Sequence, residues 1–223
     1  MRPESALLNF AEDRLQIIAL TFMAVVYILK IRWILSYPAG RDWQAPNPTG
    51  RTNPTRGAWW SLFNIALPWS MASTRRHPWF YAQFVIFHVA VAASILMSFI
   101  MPYWPEWIAG PLAVLSLQVI FAAAFLVGVA RFIRRLRDPY VRAISTPDDY
   151  FSLALLIVWF AFSFLAAPNR DEFALLAYFF LTAFFLIYVP FSKISHYLYY
   201  PFSRWYLGRT LGHRGVYPVY IPR

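Results

Sequence analysis

The sequence predicts an all-α integral membrane protein, a bundle of five transmembrane helices with the N-terminus outside and the C-terminus cytoplasmic. Three observations predict it. Hydrophobic residues make up 60% of the 223 residues and aromatic residues 20%. Charged residues make up 13%, about half of the roughly 25% usual in a soluble domain. The apolar residues also gather into five runs that reach the about 20 residues a spanning helix needs. This composition excludes a disordered chain and argues against a soluble globular enzyme.

The spans fall near 15–36, 79–101, 107–131, 149–167 and 173–197, which gives a membrane domain over 1–200 and a cytoplasmic tail over 201–223. The first span carries Lys30 and Arg32; its apolar core should end near Leu29, with both cations snorkelling to the interface. Glu4, Glu12 and Asp13 precede it and no small-residue cleavage site follows, so it does not read as a signal peptide. The 37–78 loop is rich in Pro and Trp. Its stretch Trp59–Trp69 reads either as a short interfacial helix or as an ordered loop packed on a partner. The second span runs from Pro78-Trp79 to Met101-Pro102, and the third runs into the arginines of 131–137. Before the fourth, Thr146-Pro147-Asp148-Asp149 reads as N-cap, first-turn proline and capping-box acid. The fifth carries Pro190, which should kink it.

Charge placement sets the orientation. With the N-terminus outside, 17 of the 20 cations fall on the cytoplasmic side, leaving Arg2, Arg14 and Arg170 outside. Cytoplasmic loops of membrane proteins carry such an excess of Lys and Arg. Despite the net charge of +10, the basic residues are thus dispersed over three separate cytoplasmic segments, which argues against nucleic-acid binding. There is no cysteine, so this chain supplies no disulfide, iron–sulfur or Cys-bound zinc site. Glycine-rich phosphate loops, metal-binding His–Glu motifs and internal repeats are absent from the sequence.

Four histidines remain: His77, His88, His196 and His213. His88 lies within the second span, in Phe87-His88-Val89, and His196 near the inner end of the fifth, in Pro190-Phe191-Ser192-Lys193-Ile194-Ser195-His196. An intramembrane histidine is costly without a partner and marks a functional candidate. Opposite helix directions place one such residue in the inner half of each span. Two facing imidazoles suit b-type haem, each giving one nitrogen to the iron. Arg75, Arg76, Arg142 and Lys193 are candidate contacts for the haem propionates at the inner interface. Interhelical hydrogen bonding by both histidines is the alternative reading. His77 reads as an interfacial residue, and His213 as solvated or at a partner contact.

Three stretches resemble the gamma subunit of respiratory nitrate reductase and its relatives, five-helix cytochrome b membrane anchors, over roughly residues 80–200. They are Phe87-His88-Val89-Ala90-Val91, then Arg134-Arg135 with Pro139-Tyr140-Val141-Arg142-Ala143-Ile144-Ser145-Thr146-Pro147-Asp148-Asp149, and Pro190-Phe191-Ser192-Lys193-Ile194-Ser195-His196. The last is the most specific. The resemblance implies that His88 and His196 are the ligands of the inner, proximal haem. In two-haem members, the positions of the outer ligand pair correspond here to Ser98 and Tyr178. Neither is a normal haem ligand in such a pair, so a one-haem anchor is implied. The family's quinol site lies beside the outer haem, which leaves the place of any quinone here open.

Together these observations point to a non-catalytic electron-transfer subunit of an oxidoreductase complex in a bacterial or archaeal cytoplasmic membrane. One haem b would relay electrons between quinone and a cytoplasm-facing iron–sulfur subunit, itself attached to a catalytic subunit. The 37–78 loop and the 193–223 tail are the expected docking surfaces, with the aromatic end Tyr217–Pro222 suited to packing. A haem-free scaffold subunit is the alternative. A small-solute transporter fits less well, because no span beyond the first holds an interior charge and no repeated halves are seen.

Overall fold

A computed structural model describes residues 5–40, 42–47 and 51–219. These form helices α1 (Ala6–Ser36), α2 (Pro54–Phe63), α3 (Pro78–Tyr103), α4 (Pro111–Arg137), α5 (Pro147–Ala166), α6 (Glu172–Tyr188) and α7 (His196–His213), some of them joined by short helical turns. No strand occurs among the described residues. Helices α1, α3, α4 and α5, and the segment Glu172–Phe191, are each long and apolar enough to cross a membrane. Large apolar side chains stand exposed along them, such as Ile18, Val25 and Leu29 on α1 and Leu96 and Phe99 on α3. Faces of this kind need a lipid solvent. The chain is a multi-pass membrane protein.

It divides into two compact units. The first, Met1–Ile28 with Gln83–Ile194, holds most of the spanning segments. Its core is built from Ala90, Met97 and Met101 of α3, Phe121 and Ala124 of α4, Phe160 of α5 and Leu175 and Phe179 of α6. Helix α4 lies along α5, and α5 along α6. Gly128 lets Ile157 approach closely; a Cβ there would sit 2.8 Å from the Ile157 side chain. Near its N-terminus α1 widens into a π-helical turn, Phe10–Arg14, which packs on α6. Gln16 just beyond it donates to the carbonyls of Ala11 and Phe179, at 3.0 and 2.8 Å.

The second unit, Leu29–Ala82 with Ser195–Arg223, is built on the pairing of α2 with α7. Gly57, Ala58 and Ser61 of α2 are buried, as are Gly208 and Gly212 of α7. The two backbones touch: a Cβ on Gly208 would lie 2.6 Å from Ala58 Cα and 2.6 Å from the Gly57 carbonyl oxygen. Small residues make such an approach feasible. Arg204 closes the crossing, donating to the Ser61 carbonyl at 3.0 Å and to Asn64 Oδ1 at 3.1 Å. Trp60 packs on Tyr217, with ring centroids 4.4 Å apart. The loop and the tail, expected to be docking surfaces, pack on each other. Arg2, Glu4, Arg41, Tyr220, Ile221, Pro222 and Arg223 lie outside the described residues.

Several boundaries differ from the sequence expectation, each for a local reason. The third span starts at Pro111, because Pro105–Trp107 coils into a 3₁₀ turn and Gly110 takes the extended N-cap conformation. It runs on to Arg137. The Trp59–Trp69 stretch is helical from Pro54, capped by Asn53, and breaks into 3₁₀ turns after Phe63. At Pro190 the fifth helix stops, where a kink was expected. Proline lacks the N–H the helix needs and clashes with the preceding turn. Val189–Phe191 is a 3₁₀ turn, Ser192 is extended, and α7 begins at His196. His196 therefore opens a new helix; it does not close the fifth span at 197.

Candidate cofactor-binding site

His88 belongs to the first unit and His196 to the second. Both residues are exposed. His88 shares its stripe of α3 with exposed Val85 and Val89. Its Nδ1 lies 2.7 Å from the Phe84 carbonyl oxygen, one turn back, and its ring packs on Phe84 with centroids 4.1 Å apart. A carbonyl only accepts, so Nδ1 carries the proton and the lone pair sits on Nε2. That is how a metal-ligating histidine is usually oriented: one nitrogen fixed by a carbonyl, the other presented to the metal. His196 is the first residue of α7. As imidazoles at the surface of their units, both fit the donor set of a b-type haem.

The outer pair of positions does not fit. Tyr178 is fully buried and donates to the Ser94 carbonyl at 2.5 Å. Ser94 and Ser163 share a 2.7 Å hydrogen bond, and Trp159 Nε1 donates to Thr182 at 2.9 Å. Thr182 in turn donates to the Tyr178 carbonyl at 2.7 Å. Ser98 is buried and donates to its own helix at Ile95. These groups knit α3, α5 and α6 into a satisfied polar core. It offers no imidazole and fills the volume with side chains.

The two motif stretches of the first unit are built into one another. Asp149 reaches back to the Thr146 N–H at 2.8 Å, as its capping role predicts. It also takes the Lys193 ammonium at 2.6 Å, with Arg135 3.9 Å away. Asp148 accepts the Lys193 backbone N–H at 2.9 Å and the Tyr188 hydroxyl. Ser192 steadies the same turn, donating to the Val189 carbonyl and accepting from the Ile194 N–H. The two acids at the start of α5 thus clamp the turn that leads from Pro190 to His196. Lys193, a candidate propionate contact, is engaged by Asp149 here.

The other basic candidates lie apart. Arg142 is exposed on the short helix Pro139–Ala143 of the first unit. Arg75 and Arg76 are exposed at the end of the helix Ala72–Arg76 in the second, with Arg75 donating to the Trp69 carbonyl at 2.7 Å. His77 follows them and packs on Phe80. His213 Nε2 lies 3.0 Å from the Gln44 carbonyl, so it contacts this chain's own loop.

Next to it, Arg214 forms a two-pronged ion pair with Asp42, at 2.9 and 3.0 Å. The guanidinium and the Gln44 N–H hold the Asp42 carboxyl below its ordinary range, and Asp42 raises Arg214 in return. Sequence reasoning passed over three of these features: the Asp148 clamp, the Asp42–Arg214 pair and the glycine crossing. The spacing Gly208-x-x-x-Gly212 was the one readable signal, since small residues four apart share a helix face.

No family model matches the chain. It is similar to a curated protein of Nitratidesulfovibrio vulgaris (strain Hildenborough) that is described only as "Protein". The two are 29% identical over 192 residues, covering 78% of this chain and 81% of that one.

Proposed function

We propose that this chain is a cytochrome b-like anchor and electron-transfer subunit of a membrane redox complex, with one haem b held by His88 and His196. The observation that carries the reading is the fixed His88 imidazole, whose Nδ1 is bonded to Phe84 so that Nε2 keeps its lone pair. An imidazole placed in this way, inside a spanning helix, has the orientation usual for a metal-ligating histidine. The resemblance of Pro190–His196 to the helix-five signature of nitrate reductase gamma subunits supports the second ligand. The closed polar core around Tyr178 and Ser94 supports a single haem in place of two.

Bound haem would supply a one-electron carrier in the low-dielectric interior. The chain's own residues do the rest. The two histidines orient the ligand nitrogens, and Asp148 and Asp149 fix the turn that leads into His196. Arg75, Arg76 and Arg142 remain available for propionates, and Lys193 would be shared with Asp149. With no cysteine in the chain, iron–sulfur clusters and the catalytic centre would sit on partner subunits. We place those partners on the cytoplasmic side, reached from quinone in a bacterial or archaeal inner membrane, with the N-terminus outside. The cation distribution supports that orientation. Purification of the complex with haem quantified per chain tests the reading. One b-type haem per chain is expected; its absence in the intact complex would leave a scaffold subunit.

A further inference from the structure

The two units differ sharply in charge. The segments 29–82 and 195–223, which make the second unit, contain eleven of the twenty cations and one of the ten acids, Asp42. The remaining nine cations and nine acids belong to the first unit, so the whole net charge of +10 resides on the second. Its one acid is already engaged by Arg214.

The same unit is inverted in polarity. Helices α2 and α7 turn Gly57, Ala58, Ser61, Gly208 and Gly212 inward. Helix α2 turns Trp59, 51% exposed, and Phe63, 59% exposed, outward, and Tyr197 and Tyr206 of α7 are exposed too. Trp43 and Trp69 on the flanking loop are exposed as well. A helix pair facing bulk water buries its aromatic residues and exposes its small polar ones. Chain continuity also ties this unit to the spanning helices. It includes the last turns of α1, Leu29–Ser36, and the first of α3, Pro78–Ala82, which are the ends of two spanning helices.

We infer that the second unit docks on the membrane surface by binding anionic lipid headgroups, with its exposed tryptophans and Phe63 seated at the headgroup level. Indole rings favour that depth, and clustered Lys and Arg beside spanning helices are drawn to anionic lipid. Nothing in this inference depends on haem. It concerns a surface, and it stands if the cytochrome reading fails.

Because the chain has no cysteine, a single reporter is easy to place. Phe63→Cys, carrying an environment-sensitive fluorophore, is reconstituted as the full chain in nanodiscs. One set is phosphatidylcholine alone, and the other contains phosphatidylglycerol. Blue-shifted emission, quenched by a headgroup-level spin-labelled lipid, is expected with phosphatidylglycerol. It should weaken in high salt, which screens exposed charge. Arg56→Gln and Arg209→Gln should each lower the docked-to-free ratio about fivefold. Circular dichroism of both variants checks that helix content is kept, and the salt titration needs no variant. A water-exposed label in both lipids would overturn the inference. So would shielding that is equal in both lipids and indifferent to salt. A label shielded only on adding poly-L-glutamate would also overturn it, in favour of an acidic protein partner.

Discussion

Replacing Gly208 with alanine tests the packing of the second unit. The added Cβ would lie 2.6 Å from Ala58 Cα, from the Gly57 carbonyl oxygen and from Ser61 Cβ. Two of these atoms are backbone and cannot rotate away. Ordinary contact starts at 3.4 Å, so the helices must part by about 0.8 Å at the crossing. Overpacking of this kind costs about 1–3 kcal/mol and occasionally more. Alanine returns about 1 kcal/mol through its helix preference. Since all three contacts are too short at once, we take the upper end, a net loss of about 2 kcal/mol, or roughly thirtyfold in the opening equilibrium. The assay is amide hydrogen exchange of the full chain in nanodiscs. The Asn53 N–H, which donates across to the Gly212 carbonyl at 3.0 Å, is the reporter. It should exchange roughly thirtyfold faster in Gly208→Ala. Gly110→Ala is the control, because nothing lies within 4 Å of a Cβ there. Exchange in Gly208→Ala at or below the wild-type rate would refute the close crossing.

Other perturbations address separate parts of the account. Asp148→Ala removes the acceptor of the Lys193 N–H and of the Tyr188 hydroxyl. It should cost about 1–3 kcal/mol, read as a lowered thermal midpoint in detergent, and an unchanged midpoint would discount the clamp. Tyr178→Phe deletes the donation to the Ser94 carbonyl. A loss of about 1 kcal/mol is expected, with haem content unchanged; a fall in haem content would place the cofactor near Tyr178 after all. The Asp42 carboxyl titrates below its ordinary value of 3.8 because Arg214 and the Gln44 N–H favour its charged form. Its contribution to stability is therefore full above the unfolded value and lost as pH falls through the lower folded one. Rate-corrected exchange at residues 211–217 should be flat from about pH 5 to 8 and rise only below about pH 4. Arg214→Gln should abolish that step.

The spanning helices were legible because a bilayer needs long apolar runs, and such runs are visible without any partner. Caps were legible too: Thr146-Pro147-Asp148-Asp149 carries its own instructions, and Asp149 does reach back to Thr146. Pro190 by itself predicts only a kink, since a proline alone does not say whether the chain resumes its axis. The extended Ser192 and the Asp148 bond to Lys193 decide that, and both depend on distant sequence. Helix α7 was missed for a related reason. The residues it buries fully are glycines, and its aromatic residues are divided between exposed (Tyr197, Tyr206) and half-buried (Phe202, Trp205) positions, so no ordinary amphipathic period marks it. Its partner, Gly57, lies far away in sequence. For the candidate site, the residue types at 88 and 196 were readable, and so were the non-ligands at 98 and 178. The Phe84 bond that sets the His88 tautomer, and the polar core that occupies the outer positions, were not, because they are matters of side-chain geometry.

The most direct measurement is a reduced-minus-oxidised absorption spectrum with a haem-to-chain ratio, on the wild-type complex and on His88→Ala and His196→Ala. The account predicts a b-type band at one haem per chain, lost in both variants while the chain still inserts. A wild-type complex without haem, or a band that survives either substitution, would contradict it.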